Sequence, residues 1–455
     1  MSASESAASV SGITTEESEE SGILTQHEGP SERSRQIEEL QTRNLLVLAL
    51  HQIVMRTSWI FKTESVIMPA FVDAIAGAAW VRGWLPVLNR FGQSVPPLLF
   101  AERLQYAPLK KRLLIATTWI MAVPFLTLSA IWLTLQATDA DLDRLFWLPP
   151  LFLFLYTVFF STTGLNLLSF NTLQGKLIHA TRRGRLMTLT GVIGSLTAIT
   201  CAWLVLRTWL ERKGGGFGLI FGTTGLGFLV AGAVVFWVAE PVDQLERPPR
   251  RPFWDHFRIG WQTLKDDRNF RWLAATVMLF ITTMLLFPHY QAMGRELLNC
   301  NHSELLAWLI AQNAGAGLFS VFAGTLADRY GNRLAMRFMM TGTVATPLMA
   351  LAIAHGIIPG GRSVYWITFV FLGLTPMAIR TIANYTLELC DEMHHAKYLS
   401  TLKICMGVPI LFAPLVGVLI DHTGFTPAFL GVSVILFCSV LLTFRLPEPR
   451  NGVNV

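Results

Sequence analysis

Charge is scarce in this chain. Asp, Glu, Lys and Arg make up 15% of its 455 residues, where a soluble globular chain carries about 25%. Cysteine is equally sparse: Cys201, Cys300, Cys390, Cys405 and Cys438 stand alone. Without a CxxC pair, neither a zinc site nor a disulfide framework is supported. There is no GxxxxGK[ST] phosphate loop and no nucleophile–base or metal-ligand constellation, so neither an ATPase, nor an enzyme of another kind, nor a cofactor is expected. The first forty residues have no apolar core, and a cleavable signal peptide is not expected. They are Ser- and Glu-rich ("TTEESEESG"), and lack the apolar content to fold alone. The formal net charge is +6, but the basic residues form no domain of their own. They lie in short clusters between apolar runs, which argues against a nucleic-acid partner.

Apolar sequence is what abounds: 52% of residues are hydrophobic and mean hydropathy is +0.46. A helix needs about 20 apolar residues to cross a bilayer, because lipid leaves no backbone group a partner outside the helix. Candidate spans fall near 45–71, 78–101, 112–136, 145–172, 186–210, 217–239, 270–294, 305–327, 334–355, 364–388, 399–421 and 426–446, twelve in all. The second is the most polar, with Arg82, Arg90 and Gln93. Lys and Arg cluster in alternate loops, as at Lys110 to Arg112, Arg182 to Arg185 and Arg329 to Arg337. Positive residues stay inside, so both termini are expected in the cytoplasm. Trp80, Trp84, Trp147 and Trp209 lie near span ends, as an interfacial belt would.

The longest inside loop, 240–269, opens with the Pro- and charge-rich "EPVDQLERPPRRP" and continues as "FWDHFRIGWQTLKDDRNF". Phe253, Trp254, Phe257, Trp261 and Leu264 fall roughly on one helical face, predicting an amphipathic helix on the inner membrane surface. The loop separates two six-span halves. The expected organisation is a disordered cytoplasmic tail (1–43) whose "RSRQIEELQTR" leads into the first span as a short helix, a bundle (44–239), the linker (240–269), a second bundle (270–446) and a short tail (447–455). The halves echo one another: Ala101-Glu102-Arg103 against Ala327-Asp328-Arg329, and Pro69 against Pro288. Duplicated halves mark secondary transporters.

The stretch "GTLADRYGNRLAMR" from Gly324 interrupts two apolar runs. It resembles the signature loop of the major facilitator superfamily, Gly-x-x-x-Asp-Arg-x-Gly-Arg-Arg/Lys. Gly324, Asp328, Arg329, Gly331 and Arg333 match, and Asn332 stands where the first of the final basic pair is usual. "TRRGRLMTLTGVIGS" and "APLVGVLIDHTGFTPAF" resemble the loop into span five and the connection of spans eleven and twelve. The resemblance covers about 44–446. It implies an all-α integral membrane fold of twelve transmembrane helices in two pseudo-symmetric bundles. It also implies a conformational-switch role for the loop, in which Gly331 frees the turn between two helices. The alternative is a topological anchor with no switching role. In the first-half copy Glu102 and Arg103 survive and the glycine does not.

The same resemblance places spans one, four, seven and ten around a central cavity. Ionisable residues inside spans are functional candidates because burying charge is costly. The candidate substrate-binding residues are Arg56, Arg380, Asn384, Asn166, His289 and Tyr290. Two arginines facing one cavity suit a carboxylate or phosphate, which guanidinium binds bidentately. Glu64, a carboxylate well inside span one, is the candidate for proton coupling. Other readings stand beside these: Arg56 pairing with Glu64, Lys62 reaching outward to the interface, Arg380 bonded to carbonyls, and His289 and Tyr290 merely interfacial. Gln312 and Asn313 read as interhelical hydrogen-bond partners, and Gly315, Gly317 and Gly324 as places of close helix approach.

The expected protein is a multi-pass transporter of the plasma (inner) membrane. It would act as a monomer among membrane lipids on a small organic solute, with an anionic one favoured, by alternating access coupled to protons or to exchange. A non-transporting receptor or assembly protein on the same fold and a lipid-handling protein are the alternatives, since fold alone does not fix function.

Overall fold

A computed structural model describes residues 32–105, 107–139, 145–210, 212, 216–242, 254–390 and 394–448. The described chain is helical throughout. The first part holds α1 (Glu32–Ile60), α2 (Ile67–Ile75), α3 (Ala79–Gln105), α4 (Lys110–Ala137), α5 (Leu148–Leu177), α6 (Ala180–Cys201), then a π-turn (Ala202–Leu206) running into α7 (Arg207–Leu210), and α8 (Phe217–Val234). α9 (Trp254–Asp266) follows as the connector. The second part holds α10 (Arg268–Phe280), α11 (Thr283–Leu298), α12 (Glu304–Tyr330), α13 (Asn332–Ala354), α14 (Trp366–Leu372), α15 (Leu374–Glu388), α16 (His395–Ile410), α17 (Ala413–Thr423) and α18 (Phe425–Leu442). The short helix expected at "RSRQIEELQTR" is the start of α1, continuous with it.

Among the described residues ten helical stretches are long and apolar enough to cross a membrane, two fewer than the twelve read from the sequence. The two that fall short are α1 with α2, and α3. α1 begins in polar sequence and stops at Ile60; α3 carries Pro86, Pro96 and Pro97 along with Arg82 and Arg90. Both are nonetheless packed into the bundle, α1 against α6 and α8, and α3 between α5 and α17. Protein rather than lipid meets much of their surface, which relaxes the demand for apolar residues.

Aromatic packing organises the first bundle. Phe71 of α2 meets Phe221 at 4.8 Å, Trp132 at 5.0 Å, Phe217 at 5.2 Å and Phe152 at 5.3 Å, mostly edge to face, the geometry aromatic quadrupoles prefer. In the second bundle Trp308 stacks on Phe369 at 4.8 Å, and the Tyr365 hydroxyl donates to the Tyr290 carbonyl. Outside, Val192, Leu196, Trp203, Val321, Phe322, Leu411 and Leu415 are exposed, the apolar jacket that a bilayer, not water, would cover.

Candidate functional site

Arg56 projects from α1 and Arg380 from α15, so the two bundles each supply one guanidinium. Both side chains are exposed although their sequence surroundings are apolar, and their charges act on one another. Among the described residues no hydrogen bond or ion pair is recorded for either. The stem of Arg56 lies along Gly194 of α6, where an added Cβ would meet its Cδ at 3.1 Å. Asn384 is exposed one turn beyond Arg380. Two like charges near enough to act on one another repel, and an anion placed between them would relieve the repulsion and accept their donors.

The first span is broken where the sequence reading has it continuous. Pro69 is the reason: in an unbroken helix its ring would collide with the Ser65 carbonyl, and it has no N–H to donate. α2 instead starts at Ile67, with Pro69 in its first turn. Within the break the Thr63 hydroxyl donates to the Ile60 carbonyl at 2.7 Å, and the Thr63 carbonyl accepts from Ile67 and Met68.

The break carries Lys62 and Glu64. Lys62 does not reach outward; it is fully buried. Its Nζ lies 3.2 Å from the ring centroid of Trp59 and 4.6 Å from those of Phe159 and Phe160. It donates to Glu64 Oε1 at 2.7 Å. Glu64 therefore pairs with Lys62 and not with Arg56, and its second oxygen accepts from Asn89. Next in sequence, Ser65 donates to Gln312 Oε1 at 2.6 Å across the two bundles, so Gln312 is an interhelical partner, as read. Asn313 instead bonds the Leu309 carbonyl of its own helix.

Three other candidates are spent inside the bundles. Asn166 is buried and donates to Thr117 and Thr118 of α4 at 3.1 and 2.8 Å. Tyr290 is fully buried against Phe429, with ring centroids 5.0 Å apart. His289 is fully buried with no hydrogen-bond partner at either ring nitrogen among the described residues. None of the three is recorded in contact with Arg56 or Arg380.

In the signature loop, Gly331 links α12 to α13 at φ 92° and ψ 156°, backbone that only glycine adopts without strain. Asn332, the departure from the superfamily pattern, donates to Glu388 of α15 at 2.8 Å. Arg333 pairs with Glu448 at 2.9 Å and donates to the Leu446 carbonyl. Its recorded partners lie at the end of the second bundle and in the segment just after it. Asp328 and Arg329 are exposed. Gly315 does allow close approach, since an added Cβ would strike the Val370 carbonyl, whereas Gly317 and Gly324 have open space. The side chains of Glu102 and Arg103, and those of Phe253, Trp254 and Phe257, lie outside the described residues, as does the tail before residue 32.

The sequence reading missed the other end of the molecule. There Arg82 is buried against Asp73 and lies 3.5 Å from Glu296, while Gln291 donates to Asp73 at 2.8 Å. Asp73, Arg82 and Glu296 border a cavity of about 520 Å³ that Cys300 also lines. The available signal was Arg82 itself, a charge inside an apolar run.

Residues 298–455 match the family model described as Major Facilitator Superfamily. Curated proteins give no match by sequence. Among solved structures, the nucleoside transporter NupG superposes with a TM-score of 0.66 at 11% identity, covering 90% of this chain and 100% of that one. A bacterial homologue of the iron transporter ferroportin in its inward-facing state gives 0.63 at 12%, covering 89% and 98%. The E. coli fucose:proton symporter FucP gives 0.52 at 12%, covering 90% and 99%. At such identities the likeness shows the fold and carries no substrate across. The family pattern is thus carried by the second half of the chain, and the chain as a whole shares its multi-pass helical fold with these solved transporters.

Proposed function

From the premise that a chain with this fold and this family pattern is a transporter, we propose that it carries a small anionic organic solute by alternating access, with Arg56 and Arg380 gripping the anionic group. The observation that carries the reading is a pair of exposed arginines, one from each bundle, whose charges act on one another without a recorded protein partner among the described residues. A solute bound there touches both halves at once, so it can bias how they rock. Asn384 adds a polar group one turn away. In this reading α1 with α2 forms the first span and α3 the second, giving twelve with both termini cytoplasmic in a plasma (inner) membrane. The protein works as a monomer. Glu64 carries the coupling proton or, if exchange drives the cycle, only fixes the break.

The test is a thermal-shift screen of purified protein against solutes grouped by charge, beside Arg56→Ala and Arg380→Ala. A ligand of the folded state raises its apparent stability by mass action. Carboxylates or phosphate esters should stabilise the wild type and neither variant. Stabilisation of all three proteins by neutral or cationic solutes would make the arginines structural. No stabilisation by any class would favour a receptor or assembly role on the same fold.

A further inference from the structure

The helix α3 starts without a cap of its own. Its approach is Ala76-Gly77-Ala78, and no acidic residue stands in its first turn. A helix start leaves backbone N–H groups unpaired and favours negative charge nearby. Here the partner comes from the other bundle. The Asp421 carboxylate accepts from the N–H of Ala79 at 2.7 Å and from that of Trp80 at 2.9 Å. Asp421 lies in the last turn of α17, where its own helix disfavours a negative charge; its position is favourable only through α3. The contact is backbone-deep on both sides. A Cβ at Gly417 would strike Ala79 and Trp80, and one at Gly83 would strike Ala413 and Pro414. Along the same face Arg90 donates to the Lys403 carbonyl at 2.7 Å. Beside it stands the buried Arg82 with Asp73 and Glu296.

We propose that Asp421 is a positioning residue of the transport cycle: by capping α3 in trans it latches the two bundles shut at this end, and the latch must open for the site to face the other way. This rests on the alternating-access reading. The cap, unlike an apolar seam, is all or none, because both N–H groups lose their acceptor together when the bundles part. Ser65 to Gln312 belongs to the same closed arrangement.

Cys300 is a built-in reporter, since it lines the cavity beside this seam and is 6% exposed. With the other four cysteines replaced by serine, its reaction with a maleimide reports opening. Asp421→Ala should speed labelling by about fivefold, the shift that losing one helix cap implies. Ala78→Ser added to it restores a cap in cis. If Asp421 is a latch, the double variant regains thermal stability but still labels fast. If Asp421 only stabilises α3, the double variant labels as slowly as the parent, and the proposal is wrong. Gly417→Leu wedges the seam apart directly. Fast labelling there with no change in Asp421→Ala sinks the latch alone; slow labelling in every variant sinks the rocking of the halves with it.

Discussion

The ammonium of Lys62 and the carboxylate of Glu64, two residues apart, are 2.7 Å from one another, yet the first is fully buried and the second 27% exposed. That asymmetry decides what each can do. Trp59, Phe159 and Phe160 give the ammonium faces of negative quadrupole, but only Glu64 neutralises it. Glu64 has Asn89 and water besides. Glu64→Gln leaves an uncompensated buried charge and should cost about 3 kcal/mol, while Lys62→Met should cost about 1 kcal/mol. The double variant should cost less than the sum. Thermal unfolding in detergent measures all three, and equal costs for the single variants would mean the pair is not buried on one side only.

Gly194 supports the anion reading from a different direction. Its missing side chain leaves room for the stem of Arg56, with Cδ at 3.1 Å from where a Cβ would stand. Gly194→Leu should therefore push the guanidinium aside and weaken anion binding about as much as Arg56→Ala does, roughly tenfold or more. The flexible end of Arg56 can yield, so the fold should survive. Unchanged anion binding in Gly194→Leu would mean that Arg56 does not hold the solute in this position.

Much of the architecture is legible in the sequence because a bilayer imposes one-dimensional rules: apolar length, alternating charge, and a glycine where two helices reverse. Gly331 is readable on those grounds. The break at 61–66 is not: its polar run, Lys62 to Ser65, lies between apolar stretches and reads as polar groups inside one span, and only Pro69 warns of the collision with Ser65. Asn166 and Tyr290 looked like cavity residues because a polar group in a span is notable. Which way it points depends on Thr117, Thr118 and Phe429, whose positions follow from packing between helices. The seam was the least legible. Asp421 and Ala79 are 342 residues apart, and no periodicity within either helix announces that one caps the other.

His302, in the turn between α11 and α12, gives the protein an acid limit. Burial, aided by the charge of Arg295, lowers its pKa from 6.5 to about 4, against an upward pull from Asp73. The unfolded chain binds the proton near pH 6.5 and the folded one only near pH 4, so between these values the unfolded state holds more protons. Stability is then complete above the unfolded value and falls as pH drops toward the folded one. The ring is only partly buried, and screening by water should hold the effect to about 1 kcal/mol. His302→Asn should flatten the dependence of melting temperature on pH between those limits. An unaltered slope would assign the acid limit to other groups.

Gly324 and Gly331 belong to one motif, yet the structure asks different things of them. At Gly331 φ is +92°, and a Cβ there is strained whatever space surrounds it; Gly331→Ala should cost about 1–3 kcal/mol. Gly324 lies within α12 with no atom within 4 Å of an added Cβ. Alanine is the better helix former by up to about 1 kcal/mol, so Gly324→Ala should leave stability unchanged or raise it. Paired thermal unfolding of the two variants checks this. If Gly324→Ala is as costly as Gly331→Ala, the position is in contact with something, and the other bundle, closing over the loop in the opposite state of the cycle, is the body that would meet it.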